Sequence, residues 1–432
     1  MAFYPNRQLT HLASSISVFA ITIGLVVGQS ATQKSLAQTS TTPAPAGVTS
    51  INGAGGGSIN TLFVGTGTTS PYALQGSWFN TYGVGNPTTL NPPGPVNPLV
   101  TFRYAAINSS AGLAAFFTQT PPPATGATIN PPVSFADTDD PITGTEKLSA
   151  GPNAGTPIQV PVITYGVALA YNPTGLNVPA DGIKLSRATY LGIFNGTITN
   201  WNDGRITTDN GGRVISAVSK PIVVVRRSDN SANTFTLSSN LKAAFGATWN
   251  RGVGEISIAQ AGGIPNPLPA NTVVWPANFQ FASGSKGVAT KIKTTAGAIG
   301  YVDNSTRLAN GLQAAVLQNK AGTYNPISPT SIRNAFVGTT DQDASPRRIK
   351  LVVTDPTTAN AYPLVSASYL VFYDKYANVK VANGIKGFIG WALGTTSADN
   401  IATARGYAPL PAAIKTLSKG AVNTYVNDAL NP

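Results

Sequence analysis

The chain has 432 residues, 42% of them hydrophobic and only 10% charged, with 28 lysines and arginines against 16 carboxylates. That length accommodates two domains with proper cores, and a mean hydropathy of +0.04 excludes a chain built of membrane spans. Cysteine is absent and the single histidine is His11, which excludes disulfides, thiolate metal sites and the usual nucleophile–histidine triads.

Leu12 to Gly28, LASSISVFAITIGLVVG, is the one long apolar run. Arg7 and His11 precede it and Ser35-Leu36-Ala37 follows, so residues 1–37 read as a secretory signal cleaved after Ala37, against the alternative of an uncleaved anchor. No cysteine follows the run to carry a lipid. Residues 38–48, opening QTSTTPAPAG, read as a flexible linker. The glycines of INGAGGGSINTLF, Ile51 to Phe63, lead into a helix start. LVTFRYAAI, Leu99 to Ile107, predicts a buried strand, and INSSAG after it opens an apolar helix. NPPGPVNP and TPPPATGATINPP, at Asn91 and Thr120, read as surface loops. Further strands are expected at Val160–Tyr171, in PIVVVRR ending at Arg227, and at Ala298–Val302, Ile349–Val353 and Tyr369–Tyr373. Helical spacing appears over Lys286–Thr295, with Val288 and Ile292 on one face, and over Ala412–Leu430, with Ile414, Leu417, Ala421, Val422 and Tyr425 together. Strand alternating with helix predicts an α/β fold with parallel or mixed sheets.

One stretch stands out chemically. In VVVRRSDNSANTFT, Val223 to Thr236, a hydrophobic strand runs into an arginine pair and a carboxylate in a chain sparing with charge. Helix-opening amides and hydroxyls that donate, a guanidinium that forks onto two oxygens and a carboxylate that only accepts suit a small dehydrated tetrahedral oxyanion. Asp229, two residues beyond Arg227, can hold that guanidinium in place. A further carboxylate facing an anion makes sense if the guest carries a proton: phosphate does at neutral pH, sulfate does not, and sulfate would meet it lone pair against lone pair. Each piece also has a plain structural reading. Ser109 or Ser110 suffices as a helix N-cap worth roughly 1 kcal/mol, SFADTDDPIT at Ser134–Thr143 suffices as a solvated turn or a calcium loop without the EF-hand spacing, and Asp137 and Asp140 read as solvated. Arg226 reads as a neighbour of the site or a surface residue.

The order of these pieces, with GVALAYNPTGL at Gly166, YLGIFNGTITNWND at Tyr190, GAIGYV at Gly297, GYAPLP at Gly406 and the Trp275-Pro276 pair, resembles the periplasmic phosphate-binding proteins of ABC phosphate importers, of the PstS/SphX type found in cyanobacteria. The likeness runs from about Thr49 to about Val426. It implies a type II periplasmic-binding-protein fold of two α/β lobes joined by two hinge crossovers, near Pro161–Tyr165 and Val352–Tyr362. Lobe I would comprise 49–163 plus 355–432, and lobe II 164–354. It also implies a ligand, inorganic phosphate, and no cofactor or metal. Arg227 would grip phosphate bidentately with Asp229 as its salt-bridge partner. Ser231 and the amides of Ala232 and Asn233 would donate from one helix start and Ser109 from another, while Asp139 would accept the phosphate proton. The first loop departs from the pattern: where relatives have a hydroxyl residue this chain has Gly57, with Ser58 one step later. Either the turn is shifted by one residue or only amides remain. Ala232 and Asn233 stand where glycine and threonine are usual.

The expected function is capture of phosphate in the periplasm and its delivery to membrane ABC permease subunits by a monomer, with no catalysis and no nucleic-acid binding. Two alternatives are an envelope or sensor protein with weak or altered oxyanion binding, and an exported phosphoesterase with a serine or threonine nucleophile. The second lacks histidine, cysteine and any dense carboxylate cluster.

Overall fold

A single 15-residue strand carries both halves of the sheet. The computed structural model describes residues 46–55, 58–64, 77–83, 95–106, 109–119, 133–142, 155–254 and 273–428. The expected signal, most of the linker, Gly57 and the Thr120 proline-rich stretch lie outside them. The strands of the main sheet are β1 (Thr49–Gly55), β2 (Val100–Ala106), β3 (Phe135–Thr138), β4 (Pro157–Tyr171), β5 (Val223–Arg227), β6 (Gln280–Ala282), β7 (Ala298–Asp303), β8 (Gln313–Ala314) and β9 (Val365–Tyr373). They lie in the order β2-β1-β3-β9-β4-β7-β5-β6, with β8 on β4. β4 pairs antiparallel with β9 over Pro157–Gly166 and antiparallel with β7 over Val167–Tyr171. It therefore changes partner between Gly166 and Val167.

Strand direction then fixes where a ligand could sit. β1, β2 and β3 are mutually parallel, and β3 and β4 are both antiparallel to β9, so all four run the same way. β5, β6 and β7 are mutually parallel and run against β4. The carboxyl ends of the two sets consequently face each other across the point where β4 changes partner, and in open α/β sheets ligands bind beyond carboxyl ends. Helices open at these ends: α1 (Asn60–Val64) after β1, α2 (Ser109–Thr118) after β2, α3 (Ala232–Phe245) after β5, α4 (Gly284–Thr294) after β6 and α5 (Asn304–Ala309) after β7. β-branched runs such as Val223-Val224-Val225 fit the pleated, covered interior. One half packs an aromatic cluster including Phe63, Phe79, Phe102, Phe135 and Phe388, while the other closes over Val225, Val288, Ile292 and Val302.

The fold is mixed α/β, as expected, with local differences. Ile349–Val353 is not a strand: Ile349 and Leu351 are buried, but Leu351 exchanges its backbone bonds with the Tyr369 hydroxyl at 3.1 Å each way. A side chain substitutes there for a neighbouring strand, and a single bridge, Gln159 to Arg348, reaches β4. The last helix, α6 (Ala412–Tyr425), stops short of Leu430, because Asn427–Asp428 pairs with Lys375–Tyr376. Ile414, Ala421 and Val422 are buried on it, but Leu417 is exposed. Among the described residues no helix is long and apolar enough to cross a membrane.

Candidate anion-binding site

β5 delivers Arg227 to the facing carboxyl ends. Its side chain is 8% exposed. Nε donates to Asp229 Oδ1 at 2.8 Å, Nη2 to Asp229 Oδ2 at 2.5 Å and Nη1 to Ser285 Oγ at 3.1 Å. A guanidinium has five N–H donors, so these three leave one on each terminal nitrogen, the pair that can fork onto two oxygens of one anion. Asp229 is oriented in turn by the Gly284 amide, 3.0 Å from Oδ1. Gly284 has φ +70, a left-handed conformation that puts its N–H there without a Cβ penalty. Burial works against both charges, but the mutual bond outweighs it: Arg227 is held above its ordinary range and Asp229 below the usual carboxylate range.

The next helix begins at once. Ser231 is the N-cap of α3, yet its side chain makes no cap bond and its buried Oγ has no hydrogen-bond partner. The first amides of a helix have no partner within it and carry the positive end of its dipole, so Ala232 and Asn233, both buried, open the helix in donor-rich surroundings. Arg226 points elsewhere, bonded to the Arg227 carbonyl and lying over the Phe281 ring.

On the other side, Asp139 follows β3 and is wholly buried. Oδ2 accepts from the Ser58 amide at 2.6 Å and Oδ1 from Ser368 Oγ at 2.6 Å. Burial pushes its carboxyl up to about 6, against the pull of those two donors, and Asp303 adds to the rise. Ser58 Oγ donates to Asn233 Oδ1 at 3.1 Å, and Asn233 Nδ2 donates to Ser285 Oγ at 3.2 Å. A continuous run of hydrogen bonds therefore joins Asp139 to Arg227 through Ser58, Asn233 and Ser285.

Ser109 is buried at the first turn of α2. A Cβ on Gly112, one turn on, would fall 2.4 Å from the Gly55 Cα, so only glycine lets α2 start against the end of β1. The expectation of a solvated Asp137 is corrected. It lies on β3 between β1 and β9, fully buried, and accepts from the Tyr104 hydroxyl, which also lies 2.8 Å from Asn60 Oδ1. Asp140, at the end of the strand, is half-buried. Among the described residues no group of three or more potential metal ligands gathers.

Residues 31–396 match the PBP superfamily domain. The chain belongs to the PBP superfamily. It is 27% identical over 330 residues to the phosphate-binding protein PstS 3 of Mycobacterium leprae (strain TN), covering 76% of this chain and 79% of that one. It is 25% identical over 347 residues to the phosphate-binding protein PstS of Xylella fastidiosa (strain Temecula1), covering 80% and 81%. The fold is shared with the phosphate-binding protein from Stenotrophomonas maltophilia, at a TM-score of 0.61 and 19% identity over 89% of this chain and 97% of that one. It is shared also with the high-affinity periplasmic phosphate-binding protein PfluDING, at a TM-score of 0.59 and 21% identity over 86% and 93%.

In this member of the PBP superfamily several residues that sequence reasoning passed over line the same place. Asp303, directly after GAIGYV, accepts from Ser305 Oγ at 2.5 Å, the Thr306 amide at 2.8 Å and Thr306 Oγ1 at 2.8 Å, and lies 3.5 Å from Asn233 Nδ2. Tyr407, in GYAPLP, places its hydroxyl 2.9 Å from Ser305 Oγ and 2.6 Å from Thr61 Oγ1, and donates to the Ser58 carbonyl. Tyr301 receives the Arg227 amide at 3.1 Å. Both quoted motifs thus held a cue, though not a chemical one. Ser285 and Ser368 had none, the first being a hydroxyl in a small-residue turn before Lys286 and the second a hydroxyl in an apolar strand.

Proposed function

We propose that this chain captures inorganic phosphate outside the cytoplasmic membrane and hands it, unaltered, to a membrane ABC permease, acting as a monomer in the periplasm. The supporting observation is one buried guanidinium with two free N–H groups, held by Asp229, in a hydrogen-bonded run that ends on a buried acceptor, Asp139. Arg227 would clasp two phosphate oxygens. Ser231 and the amides of Ala232 and Asn233 would donate to others, with Ser109 completing the cage, and Asp139 would take the P–OH hydrogen bond; Ser58, its amide on Asp139 and its hydroxyl on Asn233, would serve the cage through those two side chains. The names of the relatives point the same way. Cavities of this kind open by hinge motion, and β4 changing partner at Gly166/Val167 supports two lobes, 49–163 with 355–432 and 164–354, moving about β4 and the segment before β9.

Calorimetry with phosphate, arsenate and sulfate tests the reading. Phosphate and arsenate should bind at micromolar Kd or tighter, at least about 8 kcal/mol, and sulfate far more weakly. Equal affinity for sulfate contradicts the role of Asp139, and no binding of any of the three contradicts the function.

A further inference from the structure

Ser368 lies on β9, an interior strand, and is fully buried. Its position is marked by a slip in pairing: Ser368 sits opposite Ile163 but Tyr369 opposite Pro161, so Val162 is an extra residue in β4. Such slips re-aim side chains beside binding sites, and here the hydroxyl is 2.6 Å from Asp139 Oδ1. The other donor to Asp139 is a backbone amide, Ser58 N, 2.6 Å from Oδ2. Each carboxylate oxygen thus receives one internal donor and keeps lone-pair capacity for one guest proton.

We propose that Ser368 is a positioning residue for anion discrimination, fixing Asp139 as an acceptor that admits a protonated oxyanion and refuses one without a proton. This rests on the phosphate reading above. With its Oδ1 donor removed, the buried carboxylate takes up a proton more readily; the resulting O–H donates, and a proton-free anion such as sulfate is then accepted rather than repelled. The ionisable groups around Asp139 do not compete for this role. Tyr104 on β2, Tyr165 on β4, Tyr369 on β9 and Tyr407 ahead of α6 are all pushed above the ordinary phenol value by burial and remain neutral. Asp303, at the start of α5, adds negative potential. Asp137 and Asp140 flank Asp139 on its own segment, and Arg227 with Asp229 stands at the far end of the hydrogen-bonded run.

The test is sulfate and phosphate calorimetry from pH 5 to 9 on the unaltered protein, Ser368→Ala and Ser368→Cys. In the unaltered protein sulfate affinity rises as pH falls, with a midpoint near pH 6. Ser368→Ala moves that midpoint up by about one pH unit, raising sulfate affinity about fivefold at pH 7, while phosphate binding at alkaline pH is little changed. Ser368→Cys, similar in size with a weaker donor, shifts it in the same direction by less and decides the matter if the alanine variant does not fold. A midpoint unmoved in a folded variant that still binds phosphate overturns the inference alone. An unaltered protein that binds neither anion overturns the phosphate reading, and the inference with it.

Discussion

Replacing Arg227 with alanine should abolish tight anion binding while leaving a folded chain. The variant loses two bonds to Asp229 and one to Ser285. Breaking a buried ion pair from one side costs about 3–5 kcal/mol. Here Asp229 keeps the Gly284 amide and its side chain is 24% exposed, so the loss of stability should be nearer 2 kcal/mol. Binding suffers more. Two hydrogen bonds from a charged fork contribute about 1.5–3 kcal/mol each, together about 3–6 kcal/mol, or a rise in Kd of about a hundredfold to ten-thousandfold. Arg227→Lys keeps the charge but cannot engage Asp229 and the anion with one planar fork, so it should fall between. Calorimetry with phosphate gives Kd, and urea unfolding gives stability. A folded Arg227→Ala protein whose phosphate Kd stays within about tenfold of the unaltered value refutes the placement of the anion on this guanidinium.

Two other outcomes follow from the same network. Asp139, raised to about 6 by burial, binds its proton more readily folded than unfolded. Stability should therefore fall as pH rises from about 4 to about 6, by up to ~3 kcal/mol. Asp229, depressed by Arg227, acts in the opposite sense, and its contribution is present above about pH 4 and lost below it. Denaturant unfolding at fixed pH should show the decline between 4 and 6, and Asp139→Asn should remove it; a decline that survives in the variant rejects the assignment. Tyr407→Phe keeps a buried ring but removes the hydroxyl shared by Ser305, Thr61 and the Ser58 carbonyl. It should cost about 1–2 kcal/mol of stability and weaken phosphate binding several-fold, and unchanged values for both would rule the hydroxyl out as a tie between β1's loop and α5.

The charged part of the site was legible because charge is scarce in this chain and an arginine followed two residues later by aspartate at a strand end has few structural uses. Short β-branched runs announced β4, β5 and β7, since strands covered on both faces leave a continuous apolar record. Ile349–Val353 left the same record without forming a ladder, because its backbone is satisfied piecemeal, Leu351 by the Tyr369 hydroxyl, the Lys350 amide by Asp341 and the Ile349 amide by the Gln159 carbonyl, partners that local pattern does not encode. Asp137 misled for a related reason: three carboxylates in four residues look solvated unless one knows that β3 runs between β1 and β9 and is covered on both faces.

Two of the three departures from the family pattern, the displaced hydroxyl at Ser58 and the asparagine at 233, looked in sequence like separate losses of donors. In the fold they meet, Ser58 Oγ donating to Asn233 Oδ1 at 3.1 Å, while the same asparagine's amide reaches Ser285 and lies near Asp303. A side chain with an acceptor and two donors can receive the shifted hydroxyl, bond onward to Ser285 and still face Asp303, whereas a threonine hydroxyl, with its single donor, could serve only one of the last two. The pair thus reads as one substitution in two places, carrying the connection between the Asp139 and Arg227 ends of the site.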